Sequence, residues 1–413
     1  MELLLQTLSL AMRNLLKNRR RTLLTLVSIF AGIIGLVFLD GYVNYSMWGF
    51  KETIIRTGRG HVQVAASPDY FTEGDLDPFA YLLTNSDALI RKIRRLPEVQ
   101  TVLPVITFSA VISANGKTEN ALASAMPPDD AQKALSFRTI AAGRNLADGD
   151  KRGIVIGKGL AKKLGVTTND TVFFTTVTKG GSVNAQDFEV VGISQSGIAV
   201  VDGMSATLGL DTAKELLQVD SVPLLQVYLD KTEDSDAVYA DLVKKILPKA
   251  GTGLVAKEWT ELSPEYAQGN AAYQMVLTVA RFIVLLVAAF AIGNTVSMAV
   301  FERTREIGTL RAVGATKGEI FRLFVAEGLL LGTVGAVAAE LAGLGLCALV
   351  NAAGGIPFPP QPNMSEWITI FFRPDPVNQL QNVIVAVCVA VFGSIFPAAR
   401  AMRCRIAETL RYV

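Results

Sequence analysis

A single histidine, His61, occurs in 413 residues, together with only three cysteines, Cys347, Cys388 and Cys404. One imidazole rules out multi-histidine metal centres, no Ser/His/Asp set stands out around it, and no Cys/His ligand spacing is present. No cysteine falls between residues 41 and 273, so no disulfide holds that stretch. A phosphate-cradling loop, which needs Gly, four residues, then Gly-Lys-Ser/Thr, is also missing. Gly116-Lys117-Thr118 supplies only its end, because Val111 stands where the first glycine belongs, and Gly157-Lys158 runs into Gly159. Lys and Arg (39) nearly balance Asp and Glu (37), which gives nucleic acid no electrostatic footprint. The expectation is a chain with no catalytic residues, no bound cofactor and no metal of its own.

What the chain has in quantity is apolar sequence: 50% of its residues, with a mean hydropathy of +0.37. Four runs approach the ~20 apolar residues that a membrane-spanning helix needs. They predict spans at 22–40, 274–301, 321–353 (interrupted by Glu327 and Glu340) and 380–399. Buried core helices are rarely so long and so free of charge. The first run follows a basic stretch but has no small-residue cleavage site before Asp40, so it reads as a retained anchor. Orientation follows from Lys and Arg near the span ends. Arg13, Lys17, Arg19, Arg20 and Arg21 precede the first span. Arg303, Arg305, Arg311, Lys317 and Arg322 lie between the second and third. Arg400, Arg403, Arg405 and Arg411 follow the fourth, whereas 354–379 has only Arg373. Both termini and the 302–320 loop are therefore expected inside, with 41–273 and 354–379 outside. Leu4, Leu8, Ala11, Met12, Leu15 and Leu16 recur at helical spacing, predicting an amphipathic cytoplasmic helix within residues 1–21.

Residues 41–273 are ordinary soluble sequence with mixed strand and helix signals, predicting an α+β domain with strands in the majority. Asn115-Gly116 between two β-rich runs marks a hairpin. A strand from Ile154 leads into a helix that Gly165 stops. Strands at 171–177 and 188–193 flank a Gly-rich tip at 179–182, followed by a capped helix at 211–217 and another at 234–247. His61 alternates with Val62 and Val64 on a strand and reads as structural.

The 302–320 segment opens with densely mixed charge. Ile307, Leu310 and Val313 form a short apolar stripe, Gly314 is placed to end the helix, and Thr316 to cap the next one. A short charged helix tied to two spans suits docking into a groove of a soluble partner. The bland alternative is a positive-inside loop and nothing more.

The run ERTREIGTLRAVGATKGEIFRLFVAEGLLLG from Glu302 resembles the FtsX-type permease domain of ABC transporters. RNLLKNRRRTLLTLVSIFAGI from Arg13 is similar to the N-terminal segment of the same superfamily. GHVQV at Gly60, GIVIGKGLAKKLGV at Gly153 and FEVVGI at Phe188 resemble the periplasmic core domain of MacB-like and lipoprotein-releasing (LolC/LolE-type) permeases. The resemblance implies a permease in a bacterial inner membrane, with ATP and Mg held by a separate dimeric ATPase and a second permease subunit, the same chain or a paralogue, alongside. It implies that 302–320 is the coupling helix, with ATPase contacts at Glu302, Arg303, Arg305, Glu306, Arg311 and Gly314. Three roles stay open: lipoprotein release to a periplasmic carrier, export through an adaptor and outer-membrane channel, or regulation of a cell-wall hydrolase.

Ionisable residues inside a span are costly and mark functional candidates. Here they are Glu327, Glu340 and Arg281; Glu340 is expected to face a partner or a cavity, or to pair with Arg281 at the outer end of the second span. Gly328, Gly332, Gly335 and Gly343 recur in the third span at spacings that permit close helix approach, either within the chain or in a dimer.

Overall fold

The computed structural model describes residues 2–17, 19–74, 77–251, 253–359 and 367–402. Arg403, Cys404, Arg405 and Arg411, part of the Pro-rich loop at 360–366, and the side chains of Leu4, Leu8 and Leu16 lie outside what is described. The chain forms two compact units. One is helical (1–48, 269–358, 369–413); the other is β-rich (49–268, with 359–368).

The helical unit contains an N-terminal helix, Glu2–Lys17, a short helix, Thr304–Ala312, and four long helices: Arg19–Ile54, Pro264–Glu302, Lys317–Ala352 and Pro376–Met402. Each long helix carries an 18-residue window of mean hydropathy between 1.9 and 2.6 with at most two charges, enough to cross a membrane. Three of these helices overrun the apolar runs at 22–40, 274–301 and 380–399, because helix hydrogen bonding continues where apolar content stops.

Small residues set how these helices pack. A Cβ on Gly332 would overlap that of Ala390, and one on Gly328 would lie 2.5 Å from the Cβ of Ser394, so the third and fourth long helices meet backbone to backbone. Gly335 and Gly343 face Ile29 and Val37 of the first, at 3.2 and 3.0 Å. The glycine face is therefore spent inside the chain, on two neighbours rather than one. Gly32 against Val284, and Gly393 against Ala289, do the same for the second long helix. Met275, Phe282, Phe290, Phe392 and Phe396 point outward, each more than 60% exposed, as expected of side chains facing lipid.

Among the described residues the β-rich unit has ten strands: β1 (Val62–Ala65), β2 (Val99–Ala114), β3 (Lys117–Met126), β4 (Thr139–Gly143), β5 (Gly153–Gly157), β6 (Thr171–Val177), β7 (Val183–Gln195), β8 (Ser205–Gly209), β9 (Leu224–Leu229) and β10 (Val255–Glu258). β2 is long enough to serve two sheets. Its first half pairs with β9 in a sheet of order β10-β1-β9-β2. Its second half pairs with both β3 and β6, and the ladders β2-β3-β8-β5-β7-β6 close on themselves. A closed ring leaves those strands no free edge. Its interior holds Phe108, Phe174 and Phe188 in edge-to-face contact, with centroids 6.1 and 5.5 Å apart. The β2–β3 hairpin turns on Asn115 and Gly116, both at positive φ (53° and 71°), the geometry of a two-residue primed turn.

Two helices differ from expectation. The one expected at 211–217 starts at Leu210 on Gly209, with no side-chain cap, because Asp211 already lies inside the helix. The one expected at 234–247 is α-helical only over Ser235–Asp241, then widens and tightens as it meets Pro248, which has no N–H to continue the ladder. His61 is fully buried in this unit. Its Nδ1 accepts from the Leu229 N–H (3.1 Å), and its Nε2 lies 3.1 Å from the Thr232 hydroxyl, which itself donates to Glu52 (2.6 Å). That circuit fixes one neutral tautomer and describes a structural histidine.

Candidate coupling site

Between the second and third long helices the chain makes a tight corner from local rules alone. Arg303 (φ −106°, ψ 17°) interrupts the helix, so Thr304–Ala312 is a separate element, shorter than the 302–320 segment. Gly314 (φ +110°) reverses the backbone in a conformation that side-chain-bearing residues avoid, and nothing lies within 4 Å of where its Cβ would be. Thr316 and Glu319 then form a reciprocal capping box: the Glu319 N–H donates to Thr316 Oγ1 (3.2 Å) and the Thr316 N–H to Glu319 Oε2 (2.8 Å).

The apolar stripe splits. Ile307 is buried against the helical core, whereas Leu310 and Val313 are 45% and 85% exposed. Arg305 is exposed as well, and Arg311 is half-buried. Arg303 turns inward instead: it donates to Glu327 Oε1 (2.9 Å) and to Glu306 Oε2 (2.8 Å), with its guanidinium 5.8 Å from the Phe324 ring. Hydrogen bonding to Arg303 holds the Glu306 carboxyl below its usual range. Glu327 also accepts from Asn14 Nδ2 (2.7 Å), Glu302 pairs with Arg21 (3.0 Å), and Lys17 approaches Glu306 (3.5 Å). The helix corner is thus braced to the N-terminal helix and to the base of the first long helix. Asn14, Lys17 and Arg21 carry that brace, and the sequence reading missed them as partners. Asn14 showed only as a polar residue on the far side of the amphipathic helix, and Lys17 and Arg21 only as basic residues ahead of the first span.

At the other end of the helical unit, Asp40 is buried and accepts from the Asp375 N–H (3.1 Å), from Asn378 Nδ2 (2.9 Å) and from Gln379 Nε2, so it ties the first long helix to the start of the fourth. Glu340 does not pair with Arg281. Both of its carboxylate oxygens are buried without a partner, as are Gln379 Oε1 and Asn382 Oδ1. The reason is register: Gly328 opposite Ser394 and Gly332 opposite Ala390 continue, two turns on, to Glu340 opposite Asn382 of the fourth long helix rather than Arg281 of the second. Among the described residues no group of three or more His, Cys, Asp or Glu could hold a metal ion.

Fold and corner together define the class: a membrane-spanning protein with an α+β unit and a short charged helix between its second and third long helices. Residues 278–405 match the family described as FtsX-like permease C-terminal, and residues 22–245 match the MacB-like periplasmic core domain. The chain belongs to this FtsX/MacB/LolC family of ABC transporter permeases, whose members work with ATPase partners. It is 23% identical to the lipoprotein-releasing system transmembrane protein LolC of Neisseria meningitidis serogroup B, over 95% of this chain and 94% of that one. It is 25% identical to the ABC transporter permease MJ1507 of Methanocaldococcus jannaschii, over 84% of each. The macrolide export ATP-binding/permease protein MacB of Acinetobacter baylyi is 24% identical over 84% of this chain, which spans 53% of that protein. The solved periplasmic region of MacB from Actinobacillus actinomycetemcomitans covers 51% of this chain and 93% of its own at 12% identity, with a TM-score of 0.36.

Proposed function

We propose that this chain is the permease of a lipoprotein-releasing machine in a bacterial inner membrane, driven by ATP hydrolysis in a separate ATPase dimer that binds the ATP and Mg. The carrying observation is the braced corner: Thr304–Ala312 keeps Arg305, Leu310 and Val313 free on its outer face while Arg303 ties its start to Glu327. Such a helix transmits a push. A partner that moves its outer face moves the second and third long helices, because the charge pairs leave little slack. Both termini and this helix lie on the ATPase side, and the β-rich unit on the periplasmic side, meeting a lipoprotein carrier. Glu302, Arg305, Glu306, Arg311 and Gly314 flank the docking surface, and a second permease, identical or paralogous, completes the complex. Similarity to LolC along nearly the whole chain supports the lipoprotein reading over MacB-like export, in which ATP-binding and permease functions share one name and this chain spans about half of the protein.

The test is purification of the complex from its native membrane, with L310D/V313D as the perturbation. The wild type should carry an ATPase and a lipidated protein, and the variant should lose the ATPase while remaining folded. An ATPase retained at wild-type level by the variant would sink the coupling reading; an adaptor in place of a lipoprotein would sink the cargo.

A further inference from the structure

Four acceptor oxygens near the outer end of the helical unit have no donor among the described residues. They are both carboxylate oxygens of Glu340, Oε1 of Gln379 and Oδ1 of Asn382. The three residues are 6%, 5% and 3% exposed, so solvent outside the helices does not reach them. Buried polar atoms are nearly always paired, and each exception asks for a reason.

Packing brings these atoms to one level. Gly328 against Ser394 and Gly332 against Ala390 fix an antiparallel register between the third and fourth long helices. Continued along both, that register puts Glu340 level with Asn382 and Gly343 level with Gln379. Gly343 also abuts Val37 of the first long helix, at 3.0 Å, and Asp40 follows one turn further along. Gln379 connects the two: its Nε2 donates to Asp40, a carboxylate that accepts, so its Oε1 is the atom left over.

The charge here is of one sign. Asp40, 1% exposed, lies in the field of Glu340, and Asp375 in that of Asp40. Neither Asp40 nor Glu340 makes an ion pair among the described residues. Three N–H donors solvate Asp40 without neutralising it, whereas Glu340 has none. Buried charges in proteins are paired or coordinate metals, and an ionisable residue inside a span marks a functional site by default. The unspent atoms are all oxygens, one carboxylate and two amide carbonyls, with a second carboxylate beside them. Calcium takes that mixture in flexible geometry, and two carboxylates balance its double charge. Cys347 is in the field of both carboxylates, but the three do not gather into a group that could hold a metal, so a sulfur-liking ion has no site here.

We propose that Glu340, Gln379 and Asn382 bind a hard divalent cation of the calcium type, with Asp40 supplying the second negative charge. Such an ion joins the third and fourth long helices directly and the first through Asp40. No residue of the coupling corner takes part, so the site stands or falls separately from the proposed function.

The experiment uses the full chain in detergent, stripped with EDTA and dialysed against radioactive calcium chloride, with choline chloride holding the ionic strength. One saturable calcium per chain is expected. Glu340→Gln keeps size and hydrogen bonding but loses the charge, and should weaken binding about tenfold or more. Asn382→Leu removes one amide oxygen and no charge, and should weaken it as well, which covers the case of a Glu340 variant that fails to fold. Glu258→Gln, in the β-rich unit where Glu258 meets Asp236, should leave binding unchanged and so separates the site from an acidic surface patch. In EDTA, Glu340→Leu should melt above the wild type; saturating calcium should raise the wild type and leave Glu340→Leu where it was. No saturable calcium binding up to about 10 mM, equal binding by wild type, Glu340→Gln and Asn382→Leu, or displacement of calcium by an equal concentration of sodium would overturn the proposal.

Discussion

Replacing Glu327 with leucine should be among the most damaging single changes in the helical unit. Glu327 is 3% exposed and Arg303 17%, both by side chain, so the pair is buried. Removing one partner of a buried ion pair typically costs about 3–5 kcal/mol, because the other charge stays behind unpaired. Arg303 keeps Glu306, but that carboxylate is half exposed and screened, which moves the expectation to the lower end, about 3 kcal/mol. Asn14→Ala removes one hydrogen bond to the same charge and should cost about 1.5 kcal/mol. The double replacement R303M/E327L removes both charges and should be far less damaging than the sum, with a coupling of about 2 kcal/mol or more. Unfolding in mild detergent, by heat and by denaturant, measures all of these. Stimulation of the partner ATPase in a reconstituted complex measures coupling, which E327L should weaken more than N14A. Additive single variants, within ~0.5 kcal/mol, would refute the reasoning, since two residues that do not interact cannot be coupled.

Glu340→Leu should stabilise the chain by about 2 kcal/mol, since it removes a buried carboxylate that has no partner; a lower melting temperature would instead mean the group is satisfied by a ligand. Gly332→Leu should destabilise by about 1–3 kcal/mol by forcing the third and fourth long helices apart, whereas Gly345→Ala, with nothing within 4 Å of its Cβ position, should be silent; equal effects would remove the close-packing argument. Burial holds His61 at about 4, against 6.5 in the unfolded chain. Above pH 6.5 both states are neutral and stability is whole. Between pH 6.5 and 4 only the unfolded state takes the proton, so stability falls as pH drops, by about 3 kcal/mol in full. A pH series of melting curves should show that loss, and His61→Gln should flatten it.

The features legible in the sequence are those contained within one element. The four apolar runs are long because the bilayer is thick, a constraint independent of neighbours. Asn115-Gly116 and Gly314 announce positive φ because few other residues adopt it, and Thr316 with Glu319 forms a box within four consecutive residues. The family resemblance around Glu302 rests on the same local record. What escaped were relations between distant residues. Asn14 meets Glu327 across 313 positions and Arg21 meets Glu302 across 281, and no period or spacing links them. Glu340 stayed open between a partner, a cavity and Arg281 because the sequence offers the charges but not the register between the third and fourth long helices. The closure of β2 onto β6 depends on a sixteen-residue strand changing partners midway, which its alternation does not announce. By itself, then, the sequence determined how many long apolar helices there are, where the short helix after the second of them stops, and that an α+β unit lies between the first two. Tertiary structure alone decided which face of that short helix is free and which charge locks it, because burial is a property of packed neighbours and not of any residue in the chain.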